Sequence, residues 1–105
     1  MGARITVVKT SFHKDLIARH FPEAAASATS CPEFREGQVF EIQASNVVCP
    51  EGFCDYAWST IGPMVGRACK GEQLMWANAF PCCADGLRPV TFHVEPIEDE
   101  RTSGA

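Results

Sequence analysis

The chain has no continuous apolar run near the roughly 18 residues that a membrane-crossing helix needs, so a spanning segment is not expected. It also lacks a surplus of basic charge. Nine Lys and Arg against thirteen Asp and Glu leave a formal net charge of −4, which speaks against a nucleic acid held on a basic surface. No basic-then-apolar leader opens it, because Arg4 runs straight into the strand-like Ile5-Thr6-Val7-Val8. Met1-Gly2-Ala3-Arg4-Ile5-Thr6 has the form of a myristoylation signal. A start residue followed by a strand is the preferred reading of so short a pattern, and no second membrane signal accompanies it. There is no internal repeat and no sign of a second domain. These absences predict a cytoplasmic protein with one modest core, the size that 105 residues can build.

Cysteine, by contrast, is abundant: six in the chain. With no secretory leader the compartment expected is a reducing one, where thiols are catalytic, metal-bound or simply buried more often than paired. The spacing agrees. There is no Cys-x-x-Cys, and Cys49-x-x-x-x-Cys54 is at the wide limit for a local ligand pair. Cys82 and Cys83 are neighbours, and neighbouring strand residues point to opposite faces.

Periodicity predicts the elements. Arg4 to Thr10 is rich in β-branched residues and reads as a strand. Ser11 is placed to cap a short helix to His20, with Phe12, Leu16 and His20 on one face and Pro22 as the stop. Glu23 to Ser30 reads as a loop and Cys31 to Phe34 as a turn. Gln38 to Ile42 is a second strand, in which Phe40 and Ile42 share a face and Val39 takes the other. Phe53, Ala57, Ile61 and Val65 recur every four residues and mark a helix from Phe53. Pro63 cannot donate to the ladder, so a break or kink is expected at Gly62-Pro63, with a second helical piece to Cys69 stopped by Gly71. Residues near Trp76 to Phe80 are the expected antiparallel partner of a last strand that closes the fold near Ile97.

The densest chemistry lies in Cys82-Cys83-Ala84-Asp85-Gly86-Leu87-Arg88-Pro89-Val90-Thr91-Phe92. Two thiols precede an Asp-Gly pair, expected to supply the positive-φ geometry of a tight reversal. Val90, Phe92 and Val94 then alternate with Thr91, His93 and Glu95, as in a half-buried strand. The thiols are thus expected at a sheet end, beside a carboxylate and a guanidinium. Together these signals predict an α+β fold. A small mixed or antiparallel sheet is packed by two or three short helices in one domain over residues 1–97, with a polar tail over 98–105.

Three motifs carry a resemblance: Cys31-Pro32-x-Phe34-x-x-Gly37-Gln38, Phe53-Cys54-x-x-Ala57-Trp58, and Cys83-x-Asp85-Gly86-x-Arg88-Pro89-Val90-x-Phe92. In combination the chain resembles a family of short prokaryotic proteins of about this length and of uncharacterised activity. The resemblance implies a single compact cytosolic domain. It also places Cys31, Cys54 and Cys83 in the shared pattern, with Cys49, Cys69 and Cys82 as additions.

Three function classes follow. In the first, Cys31, Cys54 and Cys83 converge on a transition metal (zinc, iron or copper), soft thiolates being suited to such ions. His13, His20, His93 or Asp85 is available as a further ligand. The plainer alternative is that these thiols are small buried hydrophobes. In the second, Cys54 or Cys83 is the nucleophile of a metal-free enzyme and Asp85 its general acid or base. Cys54 is placed at a helix N-terminus, which stabilises a thiolate. Turn chemistry is the plainer role for Asp85. Arg88, Trp58 and Tyr56 are the expected contacts of a small-molecule or anionic ligand, Arg88 acting with Asp85 around the metal in the first class, although Arg88 also suits a salt bridge and Trp58 a core wall. In the third class the protein is a non-catalytic, oligomer-forming interaction module, since small chains gain buried surface by assembling into homo-oligomers.

Overall fold

The computed structural model describes residues 2–72 and 79–98. The strand β1 (Gly2–Thr10) is central in a three-stranded antiparallel sheet, with β2 (Val39–Gln43) on one side and β3 (Val90–Ile97) on the other. The helix α1 (Lys14–His20) follows β1, and α2 (Asp55–Cys69) joins β2 to the last strand region. The chain is a small α+β domain with an antiparallel sheet. Among the described residues, no helix is long and apolar enough to cross a membrane.

Alternation selects the inner face. Ile5 lies between Phe40 on β2 and Val94 on β3, and Val7 lies opposite Phe92. Ala3, Ile5, Val7, Val90, Phe92 and Val94 are all essentially inaccessible to solvent. Against them α2 lays the stripe Ala57, Ile61, Val65 and Ala68, which is the four-residue repeat read from the sequence. Val39 points away from this face and is exposed, as its phase predicts. A register shift between Val7 and Lys9 leaves Val8 unpaired and exposed, a bulge that changes the phase of the end of β1.

The helix α2 corrects one expectation. It is a single 15-residue helix with Pro63 inside it, not two pieces broken at Gly62-Pro63. The packing of Ile61 and Val65, one on each side of the proline, holds both halves on the same sheet. Its end is as expected: Gly71 takes φ 74° after Lys70, and the amides of Lys70, Gly71 and Glu72 bond back to the last turn. The helix α1 begins later than Ser11, with His13 at the N-cap position and no side-chain cap. The stretch read as a loop after it holds one 3₁₀ turn, Ala25–Ser27.

A fourth extended segment adds to the sheet. Residues 79–83 run antiparallel along the outer edge of β3, with Ala79 opposite Val94 and Cys82 opposite Thr91. Ala79 and Val94 exchange both backbone hydrogen bonds, the Phe92 amide donates to Pro81 O, and the Cys83 amide donates to Val90 O. Pro81 has no N–H to return, which suits an outer position. The expected partner strand is therefore present at its C-terminal end; residues 73–78, including Trp76, lie outside the described residues, as do 99–105 of the predicted tail.

One core residue escaped the periodic reading. Phe34, placed in a turn, is buried, and its ring meets Phe53 at 5.0 Å and Phe92 at 5.1 Å edge-to-face. Phe40 joins the cluster at 6.3 Å from Phe34, and Trp58 packs on Phe53 at 5.9 Å. These aromatics close the space between the sheet and the start of α2.

Candidate functional site

The loop from Ala84 to Pro89 connects the outer segment to β3, and its shape is set by Asp85. One carboxylate oxygen accepts the amides of Leu87 and Arg88 at 3.0 and 3.1 Å, and the other accepts Arg88 Nε at 3.1 Å. This is the local carboxylate-to-backbone bonding that makes Asp a turn former. Gly86 does not take the positive-φ conformation expected of a tight Asp-Gly reversal; among the described residues the positive-φ glycines are Gly37, Gly52 and Gly71. A six-residue loop needs no mirror-image turn, and the side chain of Asp85 closes it instead. Burial opposes ionisation of Asp85, but the two amides and the Arg88 guanidinium outweigh it and hold its carboxyl below the usual range. Such a group stays ionised and fully engaged at neutral pH, which suits an anchor better than a proton donor.

The same loop is stitched to the start of α1. Ser11 donates its amide to Pro89 O and His13 to Leu87 O. Between this loop and the chain that follows α1 lies a cavity of about 350 Å³. Ile17, Phe21, Ala24, Ala28 and Leu87 give it apolar walls. Its polar edge is Ser27, Thr29, Asp85 and Arg88. Both hydroxyls are occupied locally, Ser27 donating to Ala24 O and Thr29 to Ser30 O. Arg88 is half exposed, and Asp85 engages it only through Nε. Its two Nη groups form no hydrogen bond with any of the described residues, and they are the pair that forks onto a carboxylate or phosphate.

The thiols sit elsewhere around the core. Cys31, Cys54 and Cys83 are each half-buried and packed against its rim, as is Cys49. Cys69 is buried and Cys82 exposed, and all six are free thiols. The pleat explains the last pair: Ala79, Pro81 and Cys83 share the core-facing side with Val90, Phe92 and Val94, while Phe80 and Cys82 face the other way. The Cys83 sulfur accepts the Val90 amide at 3.4 Å, the place its own carbonyl would fill in a regular ladder. Among the described residues no three His, Cys, Asp or Glu side chains form a group that could hold a metal ion, the set Cys31, Cys54 and Cys83 included.

Cys54 is the N-cap residue of α2, where the sequence placed a helix start, and it makes no side-chain capping bond. Trp58, four residues on, is a wall of the aromatic cluster, its indole lying 3.2 Å from where a Cβ on Gly62 would stand. Tyr56 is exposed on the outer side of α2. Neither lines the cavity, so of the ligand contacts read from the sequence only Arg88 meets it. His13 and His20 are exposed at the two ends of α1. His93 is stacked under Phe80, ring centres 4.7 Å apart and 9° from parallel, with Nδ1 3.5 Å from Glu95. The cavity walls Ile17 and Leu87 were not singled out by sequence. Ile17 offered a signal, as an apolar residue in the expected helix; Leu87 offered none.

Comparison with protein-family models, with curated proteins and with solved structures finds no match to this chain.

Proposed function

We propose that this chain is a cytoplasmic binding domain for a small organic anion with an apolar body, seated in the cavity between α1 and the Asp85 loop. The observation that carries this reading is the guanidinium of Arg88, steered through Nε by Asp85 and left with its Nη pair uncommitted at the edge of an apolar cavity. Ligand sites are concave and mostly apolar with a few placed polar groups, and about 350 Å³ is near the lower end of their usual range of roughly 300–1,000 Å³. A binding role fits better than catalysis because the lining holds no uncommitted nucleophile. Its hydroxyls are bonded locally and Asp85 is kept ionised.

The test is a titration with medium-chain aliphatic and aromatic carboxylates, followed by NMR at the Ile17 and Leu87 methyls and at Arg88 Nε. Saturable shifts at all three are expected. Arg88→Gln should weaken binding at least about tenfold, roughly 1.4 kcal/mol. Arg88→Lys should rescue it poorly, since an ammonium cannot fork onto a carboxylate, and Arg67→Gln on the surface should leave it unchanged. No saturable shift from any of these anions at millimolar concentration overturns the proposal.

A second reading keeps the transition metal. It is favoured by the half-burial of Cys31, Cys54 and Cys83 against one core, and it requires a metal to draw the three sulfurs together. Elemental analysis of protein purified without chelator decides it: a near-stoichiometric transition metal supports this reading, and a trace level removes it.

A further inference from the structure

The chain between β2 and α2 returns on itself in a tight turn. The Phe53 amide donates to Pro50 O at 3.1 Å, and Gly52, the third residue of the turn, takes φ 82°. A turn of this kind needs a glycine-like φ at its third position. Cys49 and Cys54 are the residues that flank this turn on either side. The Cys49 sulfur sits over the residue next to Cys54, with its hydrogen directed to Phe53 O at 3.6 Å or Pro50 O at 3.8 Å. Burial first, then the neighbouring Asp55 carboxylate and last Cys54, push the Cys49 thiol up, and both cysteine side chains pack half-buried against the same core rim. The turn thus sets two free thiols, four residues apart in the chain, against one rim of the core.

We propose that Cys49 and Cys54 are a reversible dithiol–disulfide pair, oxidised by a low-molecular-weight disulfide of the glutathione type. The two sulfurs have different roles. Cys54 stands at the N-terminus of a 15-residue helix and makes no side-chain capping bond, so its sulfur is the one free to attack first. Cys49 is held as a hydrogen-bond donor and acts second. In the first step the Cys54 sulfur bonds to one sulfur of the small disulfide, whose S–S bond breaks and releases one small thiol. In the second step Cys49 attacks the Cys54 sulfur, the mixed disulfide breaks, and the second small thiol leaves with the Cys49 proton. The protein loses two protons and two electrons, and the small disulfide takes them up to become two thiols. Transient pairs of this kind are the form in which disulfides occur in reducing compartments. The bond formed staples the turn to the start of α2. This inference uses no group of the cavity and does not depend on its ligand.

The full chain is equilibrated in glutathione and glutathione disulfide mixtures of stepped ratio, trapped by alkylation and mapped by mass after trypsin. The tryptic peptide between Arg35 and Arg67 contains Cys49 and Cys54 and no other cysteine, so it reports on this pair alone. The expected result is that this peptide escapes alkylation and loses the mass of two hydrogens as the ratio rises, reversibly. Cys49→Ser should accumulate a stable glutathione adduct on Cys54, whereas Cys54→Ser should leave Cys49 unmodified. Two independent adducts on this peptide with no internal bond overturn the proposal. So does prior oxidation of Cys82 and Cys83 while the pair remains alkylatable. The wild-type map decides the question if either variant fails to fold.

Discussion

At the scale of single residues, Asp85 is held by three hydrogen bonds. Its carboxylate holds two amides and one guanidinium, and through them the loop that bounds the cavity. Because these partners hold its folded-state pKa below the ordinary value, its contribution to stability is present above the unfolded-state pKa, near 3.9. It is lost as the pH falls through the lower, folded value. Asp85→Asn is therefore expected to be less stable than the wild type at pH 7, and the difference should shrink once the pH drops below about 4. Urea denaturation of both proteins across this range measures it, and a gap that stays constant to the lowest pH would show that the charge of Asp85 contributes nothing. The surface pair Arg4–Glu41 at 3.4 Å makes the contrast: both side chains are well exposed, and such pairs contribute about 0–1 kcal/mol.

At the scale of elements, α2 shows tertiary packing overriding a local rule. Proline inside a helix removes the bond to the carbonyl four residues earlier, here Ser59 O, and crowds that turn. The helix continues because Ile61 and Val65 are both fully buried on the sheet, and burying each aliphatic side chain contributes about 1.5–3 kcal/mol. Together they contribute about 3–6 kcal/mol, enough to offset the roughly 3 kcal/mol that a proline costs in a helix interior relative to alanine. Pro63 itself is exposed, so Pro63→Ala touches no core contact. It should stabilise the protein by about 1–3 kcal/mol, read from the thermal or urea midpoint. A loss of stability instead would mean that α2 needs the curvature of a proline to follow the twisted sheet.

At the scale of the whole molecule, one cluster joins all three strands to α2, so the domain has a single core to lose. Phe34 is its closure, in edge contact with Phe40, Phe53 and Phe92. Phe34→Ala should cost about 3–5 kcal/mol, a large part of the 5–15 kcal/mol typical of domains. Val39→Thr, on the exposed side of β2, should change stability by no more than about 0.5 kcal/mol. Unfolding followed by tryptophan fluorescence and by far-ultraviolet circular dichroism should coincide in the wild type, as for a two-state domain. Separate transitions would divide the sheet from the helix and sink the idea of one cooperative core.

The periodicities of the chain alone determined the strand at Arg4 to Thr10, the apolar stripe of α2, the exposed side of Val39, and the opposite facing of Cys82 and Cys83. Each depends on which side of a regular element a residue occupies, and the 2.0 and 3.6 repeats carry that information locally. Tertiary structure decided the rest. It buried Phe34 from an irregular segment, kept α2 whole across Pro63, and gave the Asp85 turn a side-chain closure in place of a glycine one. It also set Arg88, and not Trp58 or Tyr56, at a cavity whose other wall lies some seventy residues away in the chain. The physical reason is that contacts between distant segments are selected by the summed burial of the whole core, and no local pattern contains that sum.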